Sequence, residues 1–235
     1  MKILALETSA VAASAAVCQD EELIALNFQR SGLTHSATLM PMVETALKNA
    51  GTNMKEIDVI AVASGPGSFT GLRIGVSAAK GLAWAENKLC ASVSTLEAMA
   101  WQMCGTEGLV CAAMDARRKQ VYNALFEIKN GVPVRLTPDR AISLDDLCKE
   151  LENVKKTRIL VGDGAHLCYN AFETCGYPVQ MAPPHLLYQS AWGVARAALE
   201  QARCNTLINS AELIPNYHRL SQAERERQEK MKKGC

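Results

Sequence analysis

Apolar residues along the chain fall into short runs separated by polar turns, and their period alternates between that of strands and that of helices. "KILALET" from Lys2 reads as a buried strand ending in polar residues. "SAAVCQD" and "ELIALNFQR" follow as two more strands, split by the turn at Gln19, Asp20 and Glu21. Three strands this close together form an antiparallel meander. "THSATLMPMVETALKNAG" then reads as a helix that Thr34 or Ser36 can cap and Gly51 ends. Its apolar stripe is Leu39, Val43, Ala46 and Leu47. "IDVIAVASGPG" is a buried strand, "GLRIGVSAAKGLAWAEN" a helix, "LCASVS" a strand and "TLEAMAWQMCG" a helix. The order βββαβαβα predicts an α/β unit with a mixed sheet and helices on its faces.

A second unit starts near Gly105. "LVCAAMDARRKQVYNALFEIKNGVPVRLT" reads as three strands, the last two joined by the hairpin pair Asn130-Gly131. "SLDDLCKELEN" is a helix that Ser143 can cap, with Asp145 and Asp146 favourable in its first turn. "RILVGDGA" is a strand running into a glycine turn, and "LLYQSAWGVARAALEQAR" is a long amphipathic helix. "LIPNYHRL" is a short extended piece. The pattern therefore predicts a first half over 1–105, a second half of the same kind but reduced over 106–217, and a charged tail over 218–235. That tail lacks an apolar stripe and reads as a frayed helix or a disordered segment.

Composition changes this picture little. Half of the 235 residues are apolar and the formal net charge is +1, so no global basic field attracts nucleic acid. No apolar run reaches bilayer length, and Glu7, Thr8 and Ser9 interrupt the first one too early for a signal peptide. A cytoplasmic protein is expected. The nine cysteines are odd in number and form no Cys-x-x-Cys pair, which predicts buried free thiols in a reducing compartment. The four histidines form no local metal pair at helical spacing.

The stretch with the most chemical promise is "SGPGSFTGLRIGVSAAKG", Ser64 to Gly81. It is not a Walker loop, because Leu72 stands where the phosphate-binding lysine is needed. Nor is it a dinucleotide fingerprint, because the third glycine comes one residue late. No Gly-x-Ser-x-Gly nucleophile elbow is present. What remains is a turn with Gly65, Gly67, Ser68 and Thr70 at a helix N-terminus. It can hold an anion, or Ser68 or Thr70 can cap the helix. Behind it, Gly71, Gly75, Ala79 and Ala83 recur every fourth residue as a ridge of small side chains. Glycine inside a helix costs about 1 kcal/mol relative to alanine, so Gly75 predicts close backbone approach, either by the helix's own sheet or by another helix. Arg117, Arg118 and Lys119 form a basic turn that could touch RNA phosphate or an acidic partner, or simply face solvent. Asp163, in "GDGAH", reads as a ligand or an N-cap.

Taken in order, "ILALETSA", "SGPGSFTGLRIG", "DARRKQVY", "LVGDGA" and "LIPNY" resemble the TsaB family, also called YeaZ, over nearly the whole chain up to about residue 217. The resemblance implies the actin/sugar-kinase/Hsp70-like ATPase fold. It implies a cytoplasmic, non-catalytic subunit that binds and stabilises the catalytic paralogue TsaD during threonylcarbamoylation of adenosine-37 in ANN-decoding tRNAs, and helps recruit the ATPase TsaE. A homodimer is implied when TsaD is absent. The metal-binding His pair of TsaD would fall at Thr95 and Met99, neither of which supports an iron or zinc site, so no metal and no resident cofactor are expected. The resemblance leaves room for a nucleotide at the partner interface. It places that interface on two helices, through Leu39, Met42, Val43 and Ala46 on the first and Gly71, Gly75, Ala79 and Ala83 on the second. In this picture Gly65, Gly67, Ser68 and Thr70 are a vestigial nucleotide loop, and tRNA contact is indirect or weak. A rival reading is a small-molecule kinase or ATPase of the same fold, which would need carboxylates in the cleft between the halves. Another is direct tRNA binding through Arg117, Arg118, Lys119 and the basic tail.

Overall fold

The computed structural model describes residues 1–154, 156–176 and 178–218. The first half runs β1 (Lys2–Glu7), β2 (Ala13–Gln19), β3 (Glu22–Gln29), α1 (His35–Asn49), β4 (Val59–Gly65), α2 (Phe69–Ala85), β5 (Leu89–Ser94) and α3 (Thr95–Gln102). Its sheet has the order β3-β2-β1-β4-β5. The meander is antiparallel, and β1, β4 and β5 are parallel, with Ile3 opposite Val59 and Val59 opposite Leu89. This is the predicted βββαβαβα order.

The second half runs β6 (Gly108–Asp115), β7 (Gln120–Lys129), β8 (Val132–Arg135), β9 (Arg140–Ser143), α4 (Leu144–Leu151), β10 (Arg158–Val161), α5 (Ala165–Thr174), β11 (Val179–Met181) and α6 (Ala191–Arg203). Its sheet order, β8-β7-β6-β10-β11 with β9 beside β7, repeats the first. The reduction lies in strand length: β8, β9 and β10 have four residues and β11 has three. Sequence reasoning passed over β9 and β11, which have neither the hairpin pair that flags β8 nor the continuous apolar run of β10.

Strand residues alternate between two cores. Leu4 and Leu6 face the layer of α1 and α2, while Ile3 and Ala5 face the opposite layer. That opposite layer is α6, which comes from the second half in sequence and packs on β1, β2, β4 and β5. The expected assignment of all of 106–217 to the second half is therefore corrected, because α6 and the segment behind it belong with the first sheet. A parallel sheet must be covered on both faces, and the first half has only α3 to offer there. The chain returns, α6 covers the face, and the segment behind it stays. Cys90 and Ile208 exchange main-chain hydrogen bonds of 2.8 and 2.9 Å, and Leu213 is fully buried beside Leu4 and Ile60. α3 lies between the two sheets, with Ala98 and Trp101 in the first core and Leu96, Met99 and Met103 in the second. α6 starts at Ala191, capped by Ser190, five residues later than the apolar pattern suggested. Thr34 holds the N-cap position of α1 but its side chain makes no capping bond. The charged tail beyond His218 lies outside the described residues.

Candidate functional site

The glycine turn is fastened on both sides. The Ser68 N–H donates to the Ser9 carbonyl at 2.6 Å, and Ser68 Oγ accepts the Gly71 N–H at 3.3 Å. Of the two readings of this turn, the helix cap is the one the geometry adopts. Gly67 leaves no room for a side chain, since a Cβ there would stand 2.5 Å from the Ser9 carbonyl oxygen. Gly65, at φ +139°, lies against the Asn216 carbonyl, and the Asn216 N–H donates to the Ser64 carbonyl at 2.7 Å. Thr70 is exposed on the first turn of α2.

The small-residue ridge is spent inside the chain. Gly71 lies against the Thr8 carbonyl, and Thr8 Oγ1 donates to the Gly71 carbonyl at 2.8 Å. Gly75 lies against Thr8 Oγ1 and Val62. Ala79 and Ala83 are fully buried in the core with Leu39, Met42, Val43 and Ala46. None of the eight residues expected at a partner interface reaches the surface, and that assignment is corrected. The close approach that glycine permits is to β1 and β4, the helix's own sheet.

What α1 and α2 present outward is a shallow groove of about 490 Å³, bordered by Ser36, Met40, Phe69, Arg73, Ile74 and Ala78. Met40 is 45% exposed, and Trp84, near the end of α2, is 80% exposed. Arg73 lies 3.9 Å over the Phe69 ring, which stacks on Tyr217 at 4.5 Å. Sequence reasoning missed Met40, Ile74 and Trp84. Their signal was available: each is apolar and lies off the inward stripe of its helix.

A cleft of about 690 Å³ separates the halves. The turn after β1, with Ser9 and Ala10, forms one wall. The β6–β7 turn and the start of α5 form the other. Arg117 stands at this cleft. Arg117, Arg118 and Lys119 all have left-handed backbone, at φ 65°, 56° and 58°, and all are exposed. The Asp115 carboxylate holds the turn by accepting the Arg117 N–H at 2.7 Å. Asp163 is the other carboxyl in the lining, and Glu7 lies buried behind Ser9. Glu7 is fully buried and its Oε1 accepts the Ser9 N–H at 2.6 Å. Burial pushes the Glu7 carboxyl up to about 7 against these hydrogen bonds, with Asp163 adding like charge. Asp163, itself pushed up by burial, accepts the Gln189 amide at 2.7 Å. Gly164, not Asp163, holds the N-cap position of α5. Among the described residues the cleft lining contains no lysine to hold a phosphate.

Thr95 and Met99 are both fully buried in α3. Met99 packs in the second core, its sulfur close to the backbone at Gly162. Among the described residues no three His, Cys, Asp or Glu side chains come together so as to hold a metal ion. No helix among them is long and apolar enough to cross a membrane.

The family model "TsaD: tRNA N6-adenosine threonylcarbamoyltransferase" matches residues 23–224. A tRNA threonylcarbamoyladenosine biosynthesis protein TsaB from Bacillus subtilis is 32% identical over 228 residues, covering 95% of this chain and 96% of that protein. The TsaB of Haemophilus influenzae is 37% identical over 236 residues, covering 93% and 94%. Among solved structures, YeaZ from Pseudomonas aeruginosa superposes with a TM-score of 0.76 at 25% identity, over 92% of this chain and 100% of that one. A ROK hexokinase from Thermus thermophilus, 11% identical with a TM-score of 0.50 over 87% and 100%, shares the fold alone. The paired sheets, the shared strand order and the end-to-end matches to these relatives agree: the chain belongs to the TsaB family, on the actin/sugar-kinase/Hsp70-like ATPase fold.

Proposed function

We propose that this chain is a non-catalytic, cytoplasmic subunit in the threonylcarbamoylation of adenosine-37 in ANN-decoding tRNAs. It acts by holding the catalytic paralogue TsaD in a competent shape, and the pair then receives the ATPase TsaE. The relatives' names support the pathway. The docking surface is the groove between α1 and α2, and the observation that carries it is apolar exposure. These two helices seal a complete core on their inner faces, yet they still turn Met40 and Trp84 outward, with half-buried Ile74 in the floor of the groove. Large apolar side chains grouped on one face mark association surfaces. Without TsaD, a second copy takes the same face. No reacting group is asked of this chain: Glu7 is sealed in the interior, and Asp115 and Asp163 each brace a neighbouring N–H or amide.

The test is Met40→Asp combined with Trp84→Asp. A buried unpaired charge at an interface costs several kcal/mol, so co-purification with TsaD should fall by at least about tenfold. Circular dichroism and melting should stay unchanged, because both side chains are exposed. An undiminished TsaD complex would refute the docking surface. A normal content of threonylcarbamoyladenosine in tRNA from cells lacking the chain would refute the pathway.

A further inference from the structure

Four of the free cysteines meet in the second half. Cys111 is on β6, Cys148 on α4, Cys168 on α5, and Cys175 follows the last residue of α5. α4 and α5 pack against each other over the sheet, with Cys111, Cys148 and Cys168 in one core cluster. Cys148 and Cys175 are neighbours, and so are Cys111 and Cys168. The inner pair is sealed: both residues are fully buried, and the Asn123 amide donates to Cys111 Sγ at 3.3 Å. The outer pair is different. Cys148 is 5% exposed, while Cys175 is open to solvent. An exposed thiol backed by a second thiol is the arrangement in which peroxide oxidation ends in a disulfide rather than in overoxidation.

We propose that Cys148 and Cys175 form a peroxide-sensitive dithiol that crosslinks α4 to the end of α5. Cys175, as thiolate, attacks one oxygen of a hydroperoxide. It becomes a sulfenic acid, and the other oxygen leaves as water or alcohol. Cys148 sulfur then attacks the Cys175 sulfur and displaces hydroxide, which takes the Cys148 proton and leaves as a second water. The two thiols lose two electrons in total and the peroxide gains them. The roles follow from access. Burial, and after it the neighbouring Cys175 thiol, pushes Cys148 up to about 12, so Cys148 does not begin the reaction. A dithiol reductant reverses the bond.

The test uses the full chain treated with hydrogen peroxide, quenched and digested with trypsin and a glutamate-specific protease. Cleavage after Glu173 separates Cys168 from Cys175. The expected product is peptide 141–149 joined to peptide 174–196, lighter than their sum by two hydrogen atoms and released by dithiothreitol. In Cys148→Ser the pair is lost and Cys175 gains oxygen atoms instead. In Cys175→Ser, Cys148 stays a thiol. Cys204, exposed at the end of α6, serves as the comparison thiol and does not pair with Cys148. Overoxidised Cys175 beside an intact Cys148 in the unmutated chain overturns the proposal. So does a crosslink from Cys175 to Cys168 or Cys111. One equivalent of zinc on the purified chain, retained by all four thiols, overturns it as well.

Discussion

Glu7→Gln isolates one titration. Glu7 is the last residue of β1 and fully buried under the cleft. Its Oε1 accepts the Ser9 N–H, but its Oε2 has no partner, so ionisation leaves a bare charged oxygen in the interior. Burial accordingly raises its pKa from 4.5 to about 7. The folded chain therefore holds this proton more tightly than the unfolded chain does. The stability that follows is complete below the unfolded value and is lost as pH rises through the folded one. The shift of about 2.5 units corresponds to about 3 kcal/mol at about 1.4 kcal/mol per unit. Most of it disappears between about pH 5 and pH 8. Glutamine resembles the protonated side chain and keeps an oxygen for the Ser9 N–H. The assay is urea unfolding of both proteins at several pH values across that range. Asp163 shifts in the same direction, and exposed acids such as Glu21 and Glu56 shift downward, but both proteins retain these groups. The informative quantity is the difference between the two curves. The variant should gain on the parent by about 2–3 kcal/mol from the acid to the alkaline end. Parallel curves would show that Glu7 is ionised in the fold throughout, and would refute the reasoning.

Gly75→Ala puts a methyl group onto Thr8 Oγ1 and 3.2 Å from Val62 Cγ2. Overpacking should cost about 1–3 kcal/mol in chemical denaturation, and an unchanged midpoint would contradict the helix–sheet contact. Ser68→Ala removes the cap on the Gly71 N–H. It should destabilise by about 1 kcal/mol without weakening association with TsaD, whereas a loss of association would return functional weight to the glycine turn. Asn123→Ala withdraws the amide that donates to Cys111 Sγ and to the Ala112 carbonyl. It should cost about 1–3 kcal/mol, read as a lower melting temperature.

The first half was legible because its signals are local and repeated. β1, β2 and β4 are continuous apolar runs buried on both faces, and Ser68 caps α2, one of the two roles its position allowed. The placement of α6 was not legible. Its amphipathic pattern states that one face is buried and not which sheet buries it. Ala191, Val194 and Ala198 would suit either core by size and polarity. Asp163 misled for a related reason. An acid just before a helix is usually a cap, but here Gln189, distant in sequence, claims the carboxylate. The nearness of Cys148 to Cys175 depends on how α4 meets α5, and the spacing of the two residues along the chain carries no trace of it.

The ridge on α2 shows where this kind of inference stops. Small residues at every fourth position state that a backbone comes close; they do not state whose. A helix on a strand and a helix on a partner helix ask the same thing of the sequence. The discriminating residue lies elsewhere: Thr8, whose Oγ1 both donates to the Gly71 carbonyl and fills the space beside Gly75. A buried polar side chain just past the end of a strand needs a local acceptor, and the first turn of α2 supplies one. With the inner face taken by Thr8 and Val62, anything that binds α2 from outside must meet the opposite side. Arg73, Ile74 and Ala78 lie at that groove and Trp84 is exposed near the helix end, so the search for a partner surface moves around the helix to them.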